Sequence, residues 1–422
     1  RFSVSRATVL AFEFIDGTLH CDGVSLVAAA AEVGTPFYCY SADMFRRNFM
    51  RYRDSFPVES ATVCFAVKAN SNQAVLSLLG GLGAGADVVS GGELKRALMA
   101  GIPADQIVFS GVAKTAREME FALESEIFQF NVESEPELER LNEVALAMGR
   151  KAPIAFRINP DIDAQTHEKI TTGKSENKFG VPWTRATEVY ARAAAMPGIR
   201  VQGIATHIGS QLTDLEPFRQ SFLRHAELTA ELRSQGHKIS VLDIGGGLGI
   251  PYEDDAPEPP ERERYAALAR EILEPLGCRI LIEPGRSIAG EAGVLVSEVI
   301  YVKHGEDIRF LIIDAGMNDL LRPSLYNAHH DIVSVRSPTG PVGPYDVVGP
   351  ICETGDTFVR AFDLPEMQAG ELVAIRNAGA YGAVMAGTYN TRALVPEVMV
   401  DQGELRIVRR RVEVDELIAL DA

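Results

Sequence analysis

Between residues 61 and 283 the chain repeats one pattern eight times: a short run rich in β-branched and small apolar residues, followed in most cases by a longer segment of helical period. The runs fall at 61–67, 84–89, 106–110, 127–131, 153–159, 200–207, 240–244 and 279–282, and helical patterns at 93–100, 135–148, 185–196, 215–234 and 262–276 lie between them. Alternation of this kind calls for parallel strands joined by helical crossovers, and eight such strands can close into a (β/α)8 TIM-like barrel. After residue 290 the pattern changes. Strand-like runs at 294–302, 308–313, 346–348, 371–375, 397–400 and 405–412 follow one another without comparable helices, which predicts a separate all-β domain. Residues 8–40 also carry strand signals, so the expected division is a barrel over 37–290 and a β domain over 1–36 and 291–422.

A barrel of this kind carries its chemistry at the C-terminal ends of its strands. Those ends are strongly polar here: Lys68, Asp87, Arg157, His207, the run Gly245-Gly246-Gly247, and Glu283-Pro284-Gly285-Arg286. Isolated charges at a barrel mouth are costly, so the set should be paired internally or bound to a common anionic ligand. Lys68 follows the apolar run Thr62-Val63-Cys64-Phe65-Ala66-Val67, which would partly desolvate its ammonium and make it a usable nucleophile for Schiff-base chemistry. The glycines at 245–247 and 249 let a backbone approach a phosphate closely, although a tight turn explains them equally well. Neither they nor residues 81–86 make a dinucleotide fingerprint.

Charge narrows the partners. With 41 Lys+Arg against 58 Asp+Glu the net charge is −17, which argues against nucleic acid or an anionic membrane. The longest basic run, Arg409-Arg410-Arg411, is expected on a solvated strand or at its end. Five scattered cysteines, Cys21, Cys39, Cys64, Cys278 and Cys352, include no C-x-x-C pair, so neither a disulfide framework nor a metal site is expected. No run reaches the roughly 18 apolar residues of a membrane span, and there is no basic region followed by an apolar stretch at the start, so the expected address is the cytoplasm. Residues 251–264, rich in Pro, Glu and Asp, read as an exposed loop.

Several segments together carry a resemblance. Phe65-Ala66-Val67-Lys68-Ala69-Asn70, His207-Ile208-Gly209-Ser210-Gln211, Asp243-Ile244-Gly245-Gly246-Gly247, Glu283-Pro284-Gly285-Arg286 and Cys352-Glu353-Thr354-Gly355-Asp356 resemble, in the same order, the motifs of the diaminopimelate decarboxylases. The similarity runs from Cys21-Asp22-Gly23-Val24 to Gly379-Ala380-Tyr381. The wider group it resembles comprises pyridoxal-phosphate decarboxylases and racemases built from an alanine-racemase-like barrel and a β domain. Phe65 stands where that family commonly has tyrosine, and Thr354 where serine is common; neither removes a proposed catalytic group.

The resemblance implies that Lys68 holds pyridoxal 5'-phosphate as an internal aldimine, that Glu283 partners the pyridine nitrogen and that His207 packs on the ring face. Ser210, Gly245, Gly246, Gly247, Gly285 and Arg286 would lie near the phosphate, with Tyr381 supplying a hydroxyl and Asp87 and Arg157 orienting the lysine and histidine. It implies further that Arg286, Arg322 and Tyr326 hold the distal carboxylate of diaminopimelate, a task that suits forked guanidinium donors, and that Glu353 holds the distal ammonium. Cys352 would then protonate the carbon left after decarboxylation, giving lysine. In that family the segment with the matching cysteine and glutamate enters the other subunit, so a homodimer with shared active sites is expected. The competing readings are a decarboxylase of ornithine, arginine or carboxynorspermidine, a racemase, and a non-catalytic pyridoxal-phosphate carrier. Arg322 with Tyr326 counts against ornithine, Cys352-Glu353 against a racemase, and Lys68, Cys352 and Glu353 together against a carrier.

Overall fold

A computed structural model describes residues 11–57, 59–162, 178–253, 258–337 and 340–421. It divides into two units. The first spans residues 46–289 apart from a short piece around Tyr252; the second comprises the chain up to Phe45, that piece, and everything from Gly290 onward.

In the first unit eight strands pair in parallel and strictly in chain order: Ala61–Ala66, Gly85–Val88, Ile107–Phe109, Gln129–Val132, Ala152–Asn159, Ile199–Ala205, Val241–Asp243 and Arg279–Ile282. Ile280 of the last pairs with Ala61 of the first, which closes the barrel and leaves no free edge. The strands read as continuous apolar runs because both faces are covered, inside by facing strands and outside by helices. All four residues of Gln129–Val132 are buried, as are seven of the eight in Ala152–Asn159.

The first four barrel helices each start at a polar side chain that caps them, beginning with Asn72, which accepts the Ala74 N–H. Ser90 accepts the Glu93 N–H, Ser134 the Glu137 N–H, and Thr115 forms a reciprocal capping box with Glu118. These caps hold the βα turns, and with them the side chains at the C-terminal end of the barrel. The acidic stretch expected to be an exposed loop ends sooner than its composition suggests, since a helix starts at Arg262; residues 254–257 lie outside the described part.

The second unit is a β structure organised on the long strand Gly293–His304. That strand pairs antiparallel with Phe37–Ser41, Leu372–Ile375 and Arg309–Ile313, and Phe37–Ser41 in turn pairs in parallel with Glu397–Asp401. Phe37–Ser41 therefore belongs to this unit rather than to the barrel. The chain crosses between units after Phe45, not at residue 37, because the strand's hydrogen-bonding edges are occupied by Gly293–His304 and Glu397–Asp401. Alternate residues of these strands, Phe37 and Cys39, Val294 and Val296, Val398 and Val400, form one apolar core. No helix among the described residues is long and apolar enough to cross a membrane.

The basic run at 409–411 is less solvated than its composition suggests. Arg409 ends the strand Glu404–Arg409 and pairs at 2.9 Å with Glu397, which is 3% exposed and also accepts the Tyr40 hydroxyl at 2.5 Å. Arg411 donates to the carbonyls of Gly34, Thr35 and Pro36, while Arg410 forms an exposed pair with Glu416. Arg409→Met should leave the Glu397 carboxylate buried without its cation and destabilise the protein by about 3 kcal/mol. Denaturant unfolding checks this, and a loss below about 0.5 kcal/mol, the scale of an exposed pair, would contradict it.

Candidate active site

Lys68 lies in the single turn Val67–Ala69 that follows the first barrel strand, and Asp87 lies in the second strand, opposite Ala66 in register. The Lys68 Nζ is 2.5 Å from Asp87 Oδ2, and the Asp87 side chain is wholly buried. Its other oxygen, Oδ1, is buried without a hydrogen-bond partner. The pair sits at a cavity of about 210 Å³ whose wall includes Lys68, Asn131, Arg157, His207, Asp243 and Glu283.

The same cavity carries further carboxyls. Asn131 Nδ2 donates to Asp243 Oδ2 at 2.7 Å, to Ser110 Oγ at 3.1 Å and to Glu283 Oε1 at 3.3 Å. Glu283 is pushed well above the usual carboxylate range, first by burial and then by the Asp243 and Asp87 carboxylates, with Lys68 opposing. Burial also raises Asp243, to about 6, while its bonds to Asn131, Glu283 and the Gly245 N–H hold it down. The two carboxyls share a proton that resides mainly on Glu283, where burial and both neighbouring charges act in the same direction.

His207 ends the sixth strand's run. Burial and the positive charges of Arg157 and Lys68 hold its pKa well below that of a free histidine, so the ring is neutral near pH 7. The Gly246 N–H points at Nδ1 at 3.3 Å, which makes Nδ1 the acceptor and assigns the ring proton to Nε2. Arg157 acts on His207 through its charge. Its guanidinium pairs with Glu133 at 3.1 Å and lies 4.7 Å from the centre of the Phe179 ring.

The glycines that follow the seventh strand are required by backbone approach. Gly245 has φ +67° and Gly247 φ +114°, and a Cβ on Gly246 would stand 2.3 Å from the Glu283 carbonyl oxygen. Beyond them, Arg286 Nη2 donates to Ser210 Oγ at 3.1 Å, with Arg286 buried directly after Gly285. A buried guanidinium, a hydroxyl and a side-chain-free loop make a donor set that fits a phosphate. The raised Glu283 carboxyl fits a protonated ring nitrogen, which would supply a cation beside it. Lys68, ion-paired and at the cavity, fits a covalent partner. On chemistry and space the barrel mouth suits pyridoxal phosphate.

The other expected site residues lie in the β unit. Arg322 opens the helix Arg322–Tyr326 and is 5% exposed; its guanidinium lies 4.5 Å from the centre of the Tyr252 ring and 2.7 Å from His330 Nε2. His330 Nδ1 is 2.8 Å from the Arg376 carbonyl, which can only accept, so Nε2 is the unprotonated nitrogen that receives Arg322. Cys352 and Glu353 are exposed, and the Glu353 carboxylate accepts the Tyr389 hydroxyl at 2.5 Å. Tyr381 has φ +56°, a left-handed backbone unusual for a bulky residue.

The structure thus brings Lys68, Arg157, His207 and Glu283 together at one cavity, with Asp87 paired to Lys68, with Ser210, Gly245, Gly246, Gly247 and Gly285 on loops at the same end of the barrel, and with Arg286 opening a short helix there. It adds groups that the motifs did not assign: Ser110, Asn131, Asp243 and Glu133 in the barrel, and Tyr252, His330 and Tyr389 in the β unit. Ser110 and Asn131 stand at the ends of the third and fourth runs, so the strand-end rule could have found them.

Residues 42–290 match a family model described as the pyridoxal-dependent decarboxylase, pyridoxal binding domain. Over 413 residues the chain is 47% identical to the diaminopimelate decarboxylase of Zymomonas mobilis, covering 97% of this chain and 98% of the other. It is 48% identical to that of Pseudomonas aeruginosa, again covering 97% and 98%. Among solved structures, diaminopimelate decarboxylase from Helicobacter pylori complexed with L-lysine superposes with a TM-score of 0.90 at 42% identity, covering 94% of this chain and 99% of that one.

The raised Asp243 carboxyl has a measurable consequence in the cofactor-free protein. Because Asp243 is raised from 3.8 to about 6 on folding, its neutral form contributes stability that is fully present below pH 3.8 and is lost as pH rises through about 6. Asp243→Asn, neutral at every pH, should fall less in unfolding temperature across that window than the parent protein. Parallel curves for the two proteins would contradict that rise.

Proposed function

The chain belongs to the diaminopimelate decarboxylases, pyridoxal-phosphate-dependent carboxy-lyases, and on that premise we propose that it converts meso-2,6-diaminopimelate to L-lysine and carbon dioxide, the last step of lysine biosynthesis, with Lys68 as the residue that holds the cofactor. The observation that carries this reading is the pairing of Lys68 with the buried Asp87 at a cavity that also carries the raised Glu283 carboxyl. Pyridoxal phosphate, when bound, supplies a protonated ring that accepts the electron pair released as carbon dioxide departs.

The chain's own residues divide the remaining work. Asp87 orients Lys68 Nζ and balances its charge. Glu283, within reach of Asn131 and Asp243, would pass its proton to the ring nitrogen and remain beside it as the counter-ion. His207, neutral, with Nδ1 tied to the glycine loop, offers a flat apolar face to the ring without placing positive charge there. Gly245, Gly246, Gly247, Ser210, Gly285 and Arg286 receive the phosphate, and Tyr381 adds a hydroxyl.

Substrate choice falls to the β unit. Diaminopimelate carries an amino-acid group at each end, so the end that does not react needs a cation for its carboxylate and an anion for its ammonium. Arg322, held flat by Tyr252 and His330, serves the carboxylate together with Arg286 and Tyr326, and Glu353 serves the ammonium. Cys352 donates the proton to the carbon that lost its carboxylate. The reading also carries a homodimer in which Cys352 and Glu353 serve the barrel of the other subunit, and a cytoplasmic address; the exposure of both residues supports the former.

The test is lysine and carbon dioxide formation from meso-diaminopimelate with added pyridoxal phosphate, run beside ornithine and arginine. Lysine should form from diaminopimelate alone, and Lys68→Ala should abolish both turnover and the visible absorption band of the bound cofactor. Arg322→Met should raise KM by roughly 10- to 100-fold, the worth of a charged hydrogen-bonded contact. Turnover of ornithine in preference to diaminopimelate would move the function to a sister decarboxylase.

A further inference from the structure

The loop that carries Cys352 and Glu353 is exposed at its tip and built around a buried carboxylate. Asp356 is 3% exposed. Its Oδ1 accepts the Met317 N–H and its Oδ2 the Ile351 N–H, both at 2.6 Å. The Asp356 N–H donates to the Glu353 carbonyl at 3.0 Å, and the Gly349 N–H donates to the Asp356 carbonyl at 3.1 Å. A Cβ at Gly349 would stand 2.4 Å from Asp356 Oδ2, so the backbone closes on the carboxylate with room only for hydrogen.

The same side chain reaches across to a second element. Met317 lies in the turn that leads into the helix Arg322–Tyr326, and Ser324 of that helix donates to the Gly355 carbonyl at 2.6 Å. Two ties, one buried and one exposed, therefore join the segment bearing Cys352 and Glu353 to the segment bearing Arg322 and Tyr326. Charge-assisted bonds to backbone N–H groups are roughly twice as strong as neutral ones, and two donors arriving from separate segments need two acceptor oxygens. An asparagine of the same shape offers one oxygen and turns an NH2 group toward the other N–H.

We propose that Asp356 is a positioning residue for the reaction: its carboxylate sets the conformation of the loop 349–356 and with it the direction in which Cys352 and Glu353 are presented. The proposal rests on the reading of Cys352 and Glu353 as substrate-facing groups, and it identifies the side chain that holds their loop. Proton delivery and recognition of an ammonium group are sensitive to such a device, because a displacement of about 1 Å can cost 100-fold in rate.

The experiment uses the holoenzyme and Asp356→Asn. Cys352 is exposed while Cys21, Cys39, Cys64 and Cys278 are buried, so alkylation with iodoacetamide under native conditions, mapped by peptide mass, reads the loop itself. The variant should label at Cys352 at least about threefold faster, the mark of a loop that opens locally. The other four thiols should stay unlabelled, and kcat should be lowered by about tenfold or more. A purely structural role would lower the unfolding temperature and leave both the Cys352 labelling rate and kcat unchanged, and that result would overturn the proposal. Should Asp356→Asn not fold, Ser324→Ala cuts the exposed tie alone and is measured in the same way, with faster labelling expected and an unchanged rate counting against. Cys352→Ser keeps the two readings apart: full turnover in that variant removes the acid role of Cys352, while the labelling result still decides whether Asp356 sets the loop.

Discussion

Three carboxylates, Asp87, Asp243 and Glu283, meet at the C-terminal end of the barrel against the ammonium of Lys68, and the rest of the site is arranged around that imbalance. Asp87 and Lys68 cancel each other at 2.5 Å. What remains is a buried Asp243–Glu283 pair that holds a proton because burying a second negative charge beside the first costs more than keeping it neutral. Asn131 is placed to make that arrangement stable, since its amide group reaches both carboxyls and Ser110 at once. A protonated ring nitrogen is the species that relieves the imbalance, and a decarboxylating cofactor needs its ring nitrogen protonated. The electrostatics of the barrel thus favour the form of pyridoxal phosphate that does the chemistry.

On the proposed function the β unit would meet a different need, that of holding charged side chains in place for a small zwitterion. Arg322 is desolvated, stacked on Tyr252 and bonded to the lone pair of a neutral His330, so its fork is fixed in direction before a carboxylate arrives. Glu353 is steadied by the Tyr389 hydroxyl, and its loop by Asp356. Each of these supports is a side chain that need not touch substrate, and each lowers the ordering cost of binding.

Much of this was legible in the sequence because the barrel imposes a strong signal. All eight apolar runs became barrel strands, since a strand buried on both faces has to be apolar along its length, and the strand-end rule located Lys68, Asp87, Arg157, His207 and Glu283. The unassigned groups were missed for identifiable reasons. Asn131 and Ser110 are neutral and carry no motif, although they occupy the same kind of position. Asp243 sits inside a glycine motif whose glycines drew the attention. Phe37–Ser41 was assigned to the barrel because nothing local says which sheet a short apolar run will join; its partners lie more than 250 residues away, at Gly293 and Glu397. The strand Thr357–Pro365 escaped notice because alternate polar residues and the left-handed Ala361 break its pattern. Arg409 looked like part of a solvated run because Glu397, the carboxylate that buries its role, lies on a neighbouring strand rather than nearby in the chain.

The central claim is that Glu283 is protonated in the cofactor-free barrel and ionised once a cationic ring nitrogen faces it. Infrared difference spectroscopy of the apoenzyme against the enzyme reconstituted with pyridoxal phosphate, at neutral pH and with Glu283→Gln as the control, reads that change directly. The account predicts a protonated-carboxyl band in the apoenzyme that disappears on reconstitution and is missing from the variant in both states. A carboxyl band that is unchanged by reconstitution, or that survives in Glu283→Gln, would contradict it.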